Sequence, residues 1–221
     1  MIFDLDGTLA DNVYQHVLAW DIALRANDIN LSLWRIHRRI GMSGGLFVRA
    51  LQRELGIELS PEVVVKLRHG HTEEYARMAS EIKPCPGARQ LLTKLTNENI
   101  KWAIATSSSR ATATHTLGVL GVSDDVPIVT RTDVKYAKPN PDLFLEAARR
   151  LEVDPRTVFV VGDSIWDLLA AQRAGALGIG LLTGGYGTDE LIRAGAYRVY
   201  ADPEDLLLHL DELGLRTSVE V

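Results

Sequence analysis

The first third of the chain carries apolar side chains at helical spacing. Val13, Val17 and Leu24 fall on one face of a helix, which predicts an amphipathic helix over residues 11–26. Further helices are predicted over residues 31–40, over residues 46–55 and from Ser60-Pro61 onward, where a serine cap precedes a first-turn proline. The glycine-rich residues 41–45 are expected to form a loop between two of these helices. No segment between residues 11 and 82 alternates as a strand would, so this block is predicted to be all helical.

Beyond Pro84 the pattern changes to apolar runs that alternate with amphipathic segments. The apolar runs predict strands over residues 101–106, 127–130, 158–161, 177–182 and 197–200. The segments between them predict helices over residues 109–120, from 140 onward, over 167–174 and over 189–194. Together with a strand at residues 1–5, this alternation favours a doubly wound, parallel α/β sheet. The predicted domains are a Rossmann-like core of residues 1–11 and 84–221 and a helical cap of residues 12–83.

Composition argues against several classes of protein. Hydrophobic residues make up 46% and charged residues 24% of the 221 residues, the balance of an ordinary globular protein. A formal net charge of −5 argues against a nucleic-acid partner, because no basic excess is available to neutralise phosphates. No apolar run approaches the ~18 residues of a membrane span, and no secretory signal precedes the first motif. We therefore expect a cytoplasmic protein without a membrane partner.

The cysteine and histidine content indicates neither a disulfide nor a zinc site. Cys85 is the one cysteine, and its Pro-Cys-Pro-Gly context favours a passive loop position. His69 and His71 are two residues apart, a spacing that does not bring two imidazoles to one helix face. No cysteine or aspartate ligand set flanks them. We therefore expect both histidines on a solvated helix face.

Polar side chains stand where predicted strands end, and one lies just before a predicted helix. They are Asp4 and Asp6, Thr106 and Ser107, Lys138, and Asp163 with Asp167. Ligands of an open α/β sheet bind beyond the carboxyl ends of its strands, so we expect these groups to converge. Carboxylates that lie close together raise each other's pKa unless a cation offsets them. Mg²⁺ fits best, since it needs only a few carboxylates besides phosphate oxygens and water. The set of side chains therefore indicates phosphoryl transfer.

Four segments resemble the motifs of the haloacid dehalogenase (HAD) superfamily. Phe3-Asp4-Leu5-Asp6-Gly7-Thr8-Leu9 resembles the first motif. Residues 103–107, 137–142 and 161–167 are similar to the second, third and fourth. The helical block resembles the small cap of the phosphoglycolate phosphatase and β-phosphoglucomutase branch. Asp6 argues against dehalogenases and phosphonate hydrolases of the superfamily, which lack an aspartate two places after the nucleophile.

The resemblance implies a role for each matching residue. Asp4 would be the nucleophile that becomes an aspartyl phosphate, and Asp6 the general acid and then the general base. Thr106, Ser107 and Lys138 would hold the phosphoryl group that is transferred.

The resemblance also implies a magnesium site. The Asp4 carboxylate, the backbone carbonyl of Asp6 and the Asp163 carboxylate would be ligands, and Asp167 would lie among or next to them. The expected cofactor is Mg²⁺.

Two cap residues are candidate substrate contacts. His16 lies one helical turn before Trp20, where related caps place a polar residue that faces the substrate, although cap packing would also explain it. Gly44 lies in the segment that matches the family's specificity loop, which could also be a simple helix break.

These residues predict a magnesium-dependent phosphatase of a small phosphorylated metabolite. Two alternatives stay open, a β-phosphoglucomutase-type isomerase and a non-catalytic scaffold that binds a phosphorylated ligand. In the mutases an arginine directly follows the Gly-x-Ser of the cap loop, whereas Gly44 and Gly45 follow it here. Arg38, Arg39 and Arg49 are near enough in sequence to compensate. Neither the substrate nor the oligomeric state follows from the sequence.

Overall fold

The computed structural model describes residues 1–215 of the chain. Its strands are β1 (Ile2–Phe3), β2 (Ala10–Asp11), β3 (Lys83–Pro84), β4 (Ala103–Ala105), β5 (Ile128–Val129), β6 (Phe159–Gly162), β7 (Leu177–Leu181) and β8 (Ala196–Tyr200). Its helices are α1 (Val13–Arg25), α2 (Leu33–His37), α3 (Gly44–Leu55), α4 (Pro61–Arg77), α5 (Ala88–Asn97), α6 (Arg110–Leu120), α7 (Asp142–Leu151), α8 (Ile165–Ala174), α9 (Thr188–Arg193) and α10 (Pro203–Leu208). Short 3-10 turns connect several of these elements.

Six strands form one parallel sheet in the order β5-β4-β1-β6-β7-β8. Successive residues of a strand point to opposite faces, and the two faces have separate apolar cores. Phe3 and Val161 pack with α5, α6 and α10 on one face, whereas Ile2 and Val160 pack with α7 and α8 on the other. A parallel sheet covered by helices on both faces is the predicted doubly wound α/β core, and the prediction is confirmed.

The helices α1 to α4 lie between β2 and β3 in the chain and share an apolar core of their own. Val17, Trp20, Phe47 and Leu67 are among its buried members. The two short strands at the ends of this block pair antiparallel, so the chain leaves and re-enters the core side by side. The block is therefore attached to the core through one narrow two-stranded connection.

The glycine-rich segment differs from its prediction as a loop. Only residues 41–43 are outside a helix, and α3 begins at Gly44. Phe47 and Leu51 bury one face of this helix against the block's core, so its first turn forms despite the low helix propensity of glycine. The preceding helix α2 is shorter than predicted, because the chain turns before Gly41, whose φ is +96°.

Cys85 lies among the apolar residues of the core, and burial raises the pKa of its thiol. An inert thiol is the consequence, as expected for a passive cysteine. Among residues 1–215, no helix has both the length and the apolar character that a membrane span requires.

Candidate active site

The carboxyl ends of β1 and β6 bring three aspartates together. Asp4 follows β1 directly, and its backbone N–H donates to the carbonyl of Val161 on β6 at 2.8 Å. Asp163 follows β6, and Asp167 lies in the first turn of α8. Carboxylate oxygens of Asp4, Asp163 and Asp167 all lie within 4.8 Å of one another, and the three side chains are buried. The structure thus brings these predicted residues to a single point.

Lys138 places a buried cation beside this cluster. Its Nζ forms ion pairs with the carboxylates of Asp4 and Asp167, the second at 2.7 Å. Burial alone would lower the pKa of Lys138, but Asp167 and Asp4 raise it above its ordinary value. The ammonium group therefore stays charged next to Asp4, where the sequence predicted a lysine that holds phosphate.

One buried ammonium group does not balance three buried carboxylates. Burial has the largest effect on the pKa of Asp4 and raises it. Asp167 and Asp6 raise it further and Lys138 opposes them, which gives a pKa of about 8. Burial followed by Asp167 and Asp4 also raises the pKa of Asp163 well above its ordinary value. Because a carboxylate must be ionised to act as a nucleophile, the cluster needs a further positive charge at neutral pH.

The surroundings of Asp163 fit a bound dication. Its Oδ1 accepts a hydrogen bond from Thr8 Oγ1 at 2.8 Å. Two glycines flank its Oδ2, and a Cβ atom at Gly7 or Gly184 would clash with that oxygen. A carboxylate held in this way beside the oxygens of Asp4 suits a hard cation such as Mg²⁺.

Asp167 is engaged differently from Asp4 and Asp163. Its Oδ1 is the oxygen paired with Lys138, and its Oδ2 accepts hydrogen bonds from the N–H and the Oγ of Ser164 at 3.1 and 2.5 Å. Both oxygens thus have protein partners, which suits a residue that orients Lys138 and the start of α8.

The carboxylate of Asp6 is held by four side chains outside this cluster. Asn12 Nδ2 donates to its Oδ1 at 2.6 Å, and Thr106 Oγ1 and Ser108 Oγ donate to its Oδ2 at 3.2 and 2.7 Å. The Nε2 of His16 lies 3.4 Å from Oδ1. Burial would raise the pKa of Asp6, but His16, Ser108 and Asn12 hold it below its ordinary value. Asp6 is therefore ionised in this state.

Asn12 and Ser108 were not among the predicted site residues. Asn12 also accepts from the N–H of Gly7 at 3.0 Å and donates to Tyr75 Oη at 2.7 Å. The run of three serines at 107–109 was a signal for Ser108, but its spacing does not show which hydroxyl faces Asp6. The Ser107 hydroxyl is buried with no hydrogen-bond partner among the described residues.

The prediction of a solvated helix face was wrong for His71. Its Nε2 lies 3.0 Å from His16 Nδ1, and its ring stacks on Trp20 with centroids 4.4 Å apart. Burial and the charge of His16 lower the pKa of His71 well below its ordinary value. Spacing within α4 could not show that this side chain turns toward α1. His69 is exposed beside Glu73, so the prediction is confirmed for that residue.

A cavity of about 370 Å³ opens between the core and the helical block. The core side is lined by Asp4, Asp6, Thr106, Ser107 and Ser108. The helical block contributes His16, Trp20, Met42, Gly44, Arg68 and His71. Both predicted cap residues thus line the same space as Asp4. His16 is itself buried against Tyr75, with ring centroids 4.0 Å apart, so packing and cavity lining coexist in that residue.

Known proteins resemble this chain along most of its length. Residues 1–175 match the haloacid dehalogenase-like hydrolase family. β-Phosphoglucomutase of Bacillus subtilis (strain 168) is 33% identical over 216 residues, which are 95% of this chain and 92% of that protein. Phosphoglycolate phosphatase of Vibrio vulnificus (strain CMCP6) is 29% identical over 90% of both proteins. The crystal structure of a hydrolase from Pseudomonas syringae has a TM-score of 0.94 at 53% identity, covering 96% of this chain and 97% of that one.

The motifs at the strand ends, the parallel sheet and the extent of these matches agree with one another. The chain belongs to the haloacid dehalogenase-like hydrolase family.

Proposed function

We propose that this chain is a magnesium-dependent phosphatase of small phosphorylated metabolites that forms an aspartyl phosphate on Asp4. One observation carries the proposal. Asp4 and Asp6 line a cavity that is large enough for a small metabolite. Asp4 lies beside the buried Lys138, whereas Asp6 is held by other side chains. Nucleophile, fixed cation and proton carrier are the three protein groups that this reaction needs.

In the proposed first step, a carboxylate oxygen of Asp4 attacks phosphorus and the bond to the leaving oxygen breaks. Asp6 gives its proton to that oxygen, so the alcohol leaves neutral. The incoming phosphate dianion raises the pKa of Asp6 and so favours the protonated form that this step requires. Lys138, Thr106 and Ser107 hold the phosphate oxygens, and the unpartnered Ser107 hydroxyl is available for such a contact.

In the second step, Asp6 takes a proton from water, which attacks the aspartyl phosphate and releases inorganic phosphate with regeneration of Asp4. The hydrogen bonds that keep Asp6 ionised suit this base role. Magnesium bound by the carboxylates of Asp4 and Asp163 and the backbone carbonyl of Asp6 would neutralise charge on the ligands and on the phosphate oxygens. Asp167 would keep Lys138 in place.

The helical block of residues 12–83 would act as the cap that closes over the substrate. His16 and Gly44 would contact the part of the substrate that faces the cap, since both line the cavity. A small phosphorylated metabolite is the proposed partner, and the cytoplasm is the proposed location because such metabolites are found there.

The test is hydrolysis of a panel of phosphate monoesters in magnesium chloride by wild type and Asp4→Asn. We expect phosphate release by wild type and essentially none by the variant, because an amide cannot attack phosphorus. Acid trapping with a radiolabelled substrate should label wild type alone. Asp124→Asn, at an exposed aspartate of the core, is the matched control and should keep full activity. Labelling of Asp4→Asn would refute the assigned nucleophile.

Isomerisation is the second candidate function, and the β-phosphoglucomutase relative favours it. A mutase must retain a sugar bisphosphate while the sugar turns over, whereas a phosphatase releases phosphate to water. We expect release from monoesters to exceed conversion of glucose 1-phosphate to glucose 6-phosphate, even with a bisphosphate primer. Primed conversion faster than phosphate release would assign the mutase function instead.

A further inference from the structure

The cavity carries positive charge that the proposed hydrolysis does not use. Its acidic lining residues, among those described, are Asp4 and Asp6. Asp4 is ion-paired with Lys138, and Asp6 accepts a hydrogen bond from Ser108. Arg39, Arg68 and Arg131 line the same cavity. The lining therefore includes three cationic side chains that have no role in the proposed hydrolysis.

The three arginines differ in how their charge is balanced. Arg39 is ion-paired with Glu54, so its charge is compensated. Arg131 donates to the backbone carbonyls of residues 134–135 at 2.7 and 3.3 Å, which fixes the guanidinium group without a counter-charge. Within residues 1–215, Arg68 has neither an ion pair nor a side-chain hydrogen bond. A guanidinium group with all its donors available thus faces the cavity from α4.

The stem of Arg68 lies beside Gly44 and Trp20. A Cβ atom at Gly44 would come within 3.7 Å of Arg68 Cγ and 3.4 Å of Trp20 Cζ2, which are ordinary contact distances. The Trp20 ring stacks on His71, His71 contacts His16, and His16 contacts Asp6. Arg68 thus lines the cavity at the Trp20 end of a row of contacts that reaches Asp6.

We propose that Arg68 is a specificity residue that binds a second anionic group of the substrate, a carboxylate or a phosphate. The inference rests on the proposed phosphatase function and narrows its substrate class to monoesters with a remote negative charge. The planar guanidinium fork binds carboxylate and phosphate oxygens in pairs. Arg68 is exposed at the cavity wall, so its guanidinium group is accessible to an incoming anion. Arg131 adds positive potential from the core side.

The test compares two pairs of substrates that differ in the remote charge. Glycerol 3-phosphate and 3-phosphoglycerate differ in a carboxylate, whereas fructose 6-phosphate and fructose 1,6-bisphosphate differ in a second phosphate. The kcat/KM of each is measured in magnesium chloride for wild type, Arg68→Met and Arg68→Lys. Arg49→Met removes an exposed cap arginine outside the cavity lining and is the matched control.

We expect wild type to prefer the more anionic member of at least one pair, and the responding pair identifies carboxylate or phosphate. Arg68→Met should reduce that preference about tenfold or more, because a charged hydrogen bond is lost. The change should come mainly from a higher KM for the more anionic substrate. Arg68→Lys should keep part of the preference, and Arg49→Met should keep all of it. Glycerol 3-phosphate and fructose 6-phosphate, which lack the remote charge, should be hydrolysed at similar rates by every variant, which shows that the variants are folded.

Three outcomes would overturn the inference while leaving the phosphatase function intact. The first is that wild type shows no preference in either pair. The second is that Arg68→Met lowers kcat/KM equally for both members of a pair. The third is that Arg49→Met reduces the preference as much as Arg68→Met does. Failure of wild type to release phosphate from all four esters would instead refute the proposed function, and this inference with it.

Discussion

Single atoms around Asp163 determine whether a cation can be held there. Thr8 occupies one carboxylate oxygen, and the other fits between residues 7 and 184 only because neither has a side chain. Gly7 also has a φ of +83°, so a substitution there would strain the backbone as well. Gly184 does not lie in that region, which makes it the cleaner position for a test of space alone.

We predict that Gly184→Ala raises the magnesium concentration needed for half-maximal activity about tenfold or more, because the added methyl group displaces Asp163 Oδ2. Calorimetric titration with magnesium chloride gives an independent readout of affinity. Wild type should lose activity in chelator and regain it on addition of magnesium. Gly118→Ala, on α6 with open space around its Cα, is the control and should behave as wild type. Equal magnesium affinity in Gly184→Ala and wild type would show that the oxygen is not a ligand.

The site residues that follow apolar strands could be predicted, and those held only by tertiary contacts could not. Asp4 and Asp163 each come directly after a buried strand, so pattern and topology together place them at one edge of the sheet. Asn12 and Ser108 reach Asp6 through loop conformations that no periodicity encodes. Arg68 lies on α4, far along the chain from the glycine segment, so local spacing does not link it to the cavity.

At the scale of elements, the contact between α1 and α4 is built from stacked aromatic rings. His16 and Trp20 on α1 interleave with His71 and Tyr75 on α4. His16 is also the side chain that contacts Asp6, so the packing of two cap helices positions a group in the core. A change in the packing of these rings would therefore alter the contact between His16 and Asp6.

We predict that His71 makes the fold less stable in acid. Burial and His16 lower its pKa in the folded state, against the smaller opposite effect of Asp6, whereas in the unfolded chain the pKa is near 6.5. Below that value the unfolded chain binds a proton that the folded chain does not. The free energy of unfolding then falls as pH decreases, by at most about 1.4 kcal/mol per pH unit for one proton.

His71→Gln keeps a polar partner for His16 and removes this titration. The loss of stability between pH 6.5 and pH 5 should be smaller in the variant, measured by urea unfolding at a series of pH values. His115→Gln, at an exposed histidine on α6, should leave the slope as in wild type. Identical slopes in His71→Gln and wild type would contradict the prediction.

Most strands and helices of the core were predicted to within a few residues, but some elements were missed. The strand at 177–182 and the helix at 109–120 agree with β7 and α6 to within one residue. The paired strands β2 and β3 are two residues each, too short to show a period, and were missed. Helices α5 and α10 were also not predicted. The buried residues Ala88, Leu91, Leu92 and Leu95 of α5 do stand at helical spacing, so this helix could have been predicted from its period, whereas α10 has only six residues.

For the whole molecule, the helical block contacts the core at Arg38 in addition to the two-stranded connection. The carbonyl of Arg38 accepts hydrogen bonds from Trp166 Nε1 at 3.2 Å and from Tyr186 Oη at 3.1 Å. Its guanidinium lies over the Tyr186 ring, 4.2 Å from the centroid, and pairs with Glu190. That ion pair is partly exposed and contributes little by itself, so the buried hydroxyl of Tyr186 is the more informative contact to remove.

We predict that Tyr186→Phe weakens this contact by about 1 kcal/mol, the net value of one hydrogen bond. Since the contact joins the cap to the core, its loss should lower the population of the closed state and raise KM by up to about fivefold. The value of kcat at saturation should change less, because the substrate itself favours closure. Small-angle scattering without substrate should show a larger radius of gyration than in wild type.

Tyr197→Phe removes an exposed hydroxyl on β8 and is the matched control. Urea unfolding of both variants separates a weakened cap contact from a weakened core. If Tyr186→Phe kept the wild-type KM and radius, the bond to Arg38 would be incidental, and the two-stranded connection alone would set the position of the cap. If KM rose while the stability of the core was unchanged, the bond between Tyr186 and Arg38 would stabilise the arrangement of cap and core that binds the substrate.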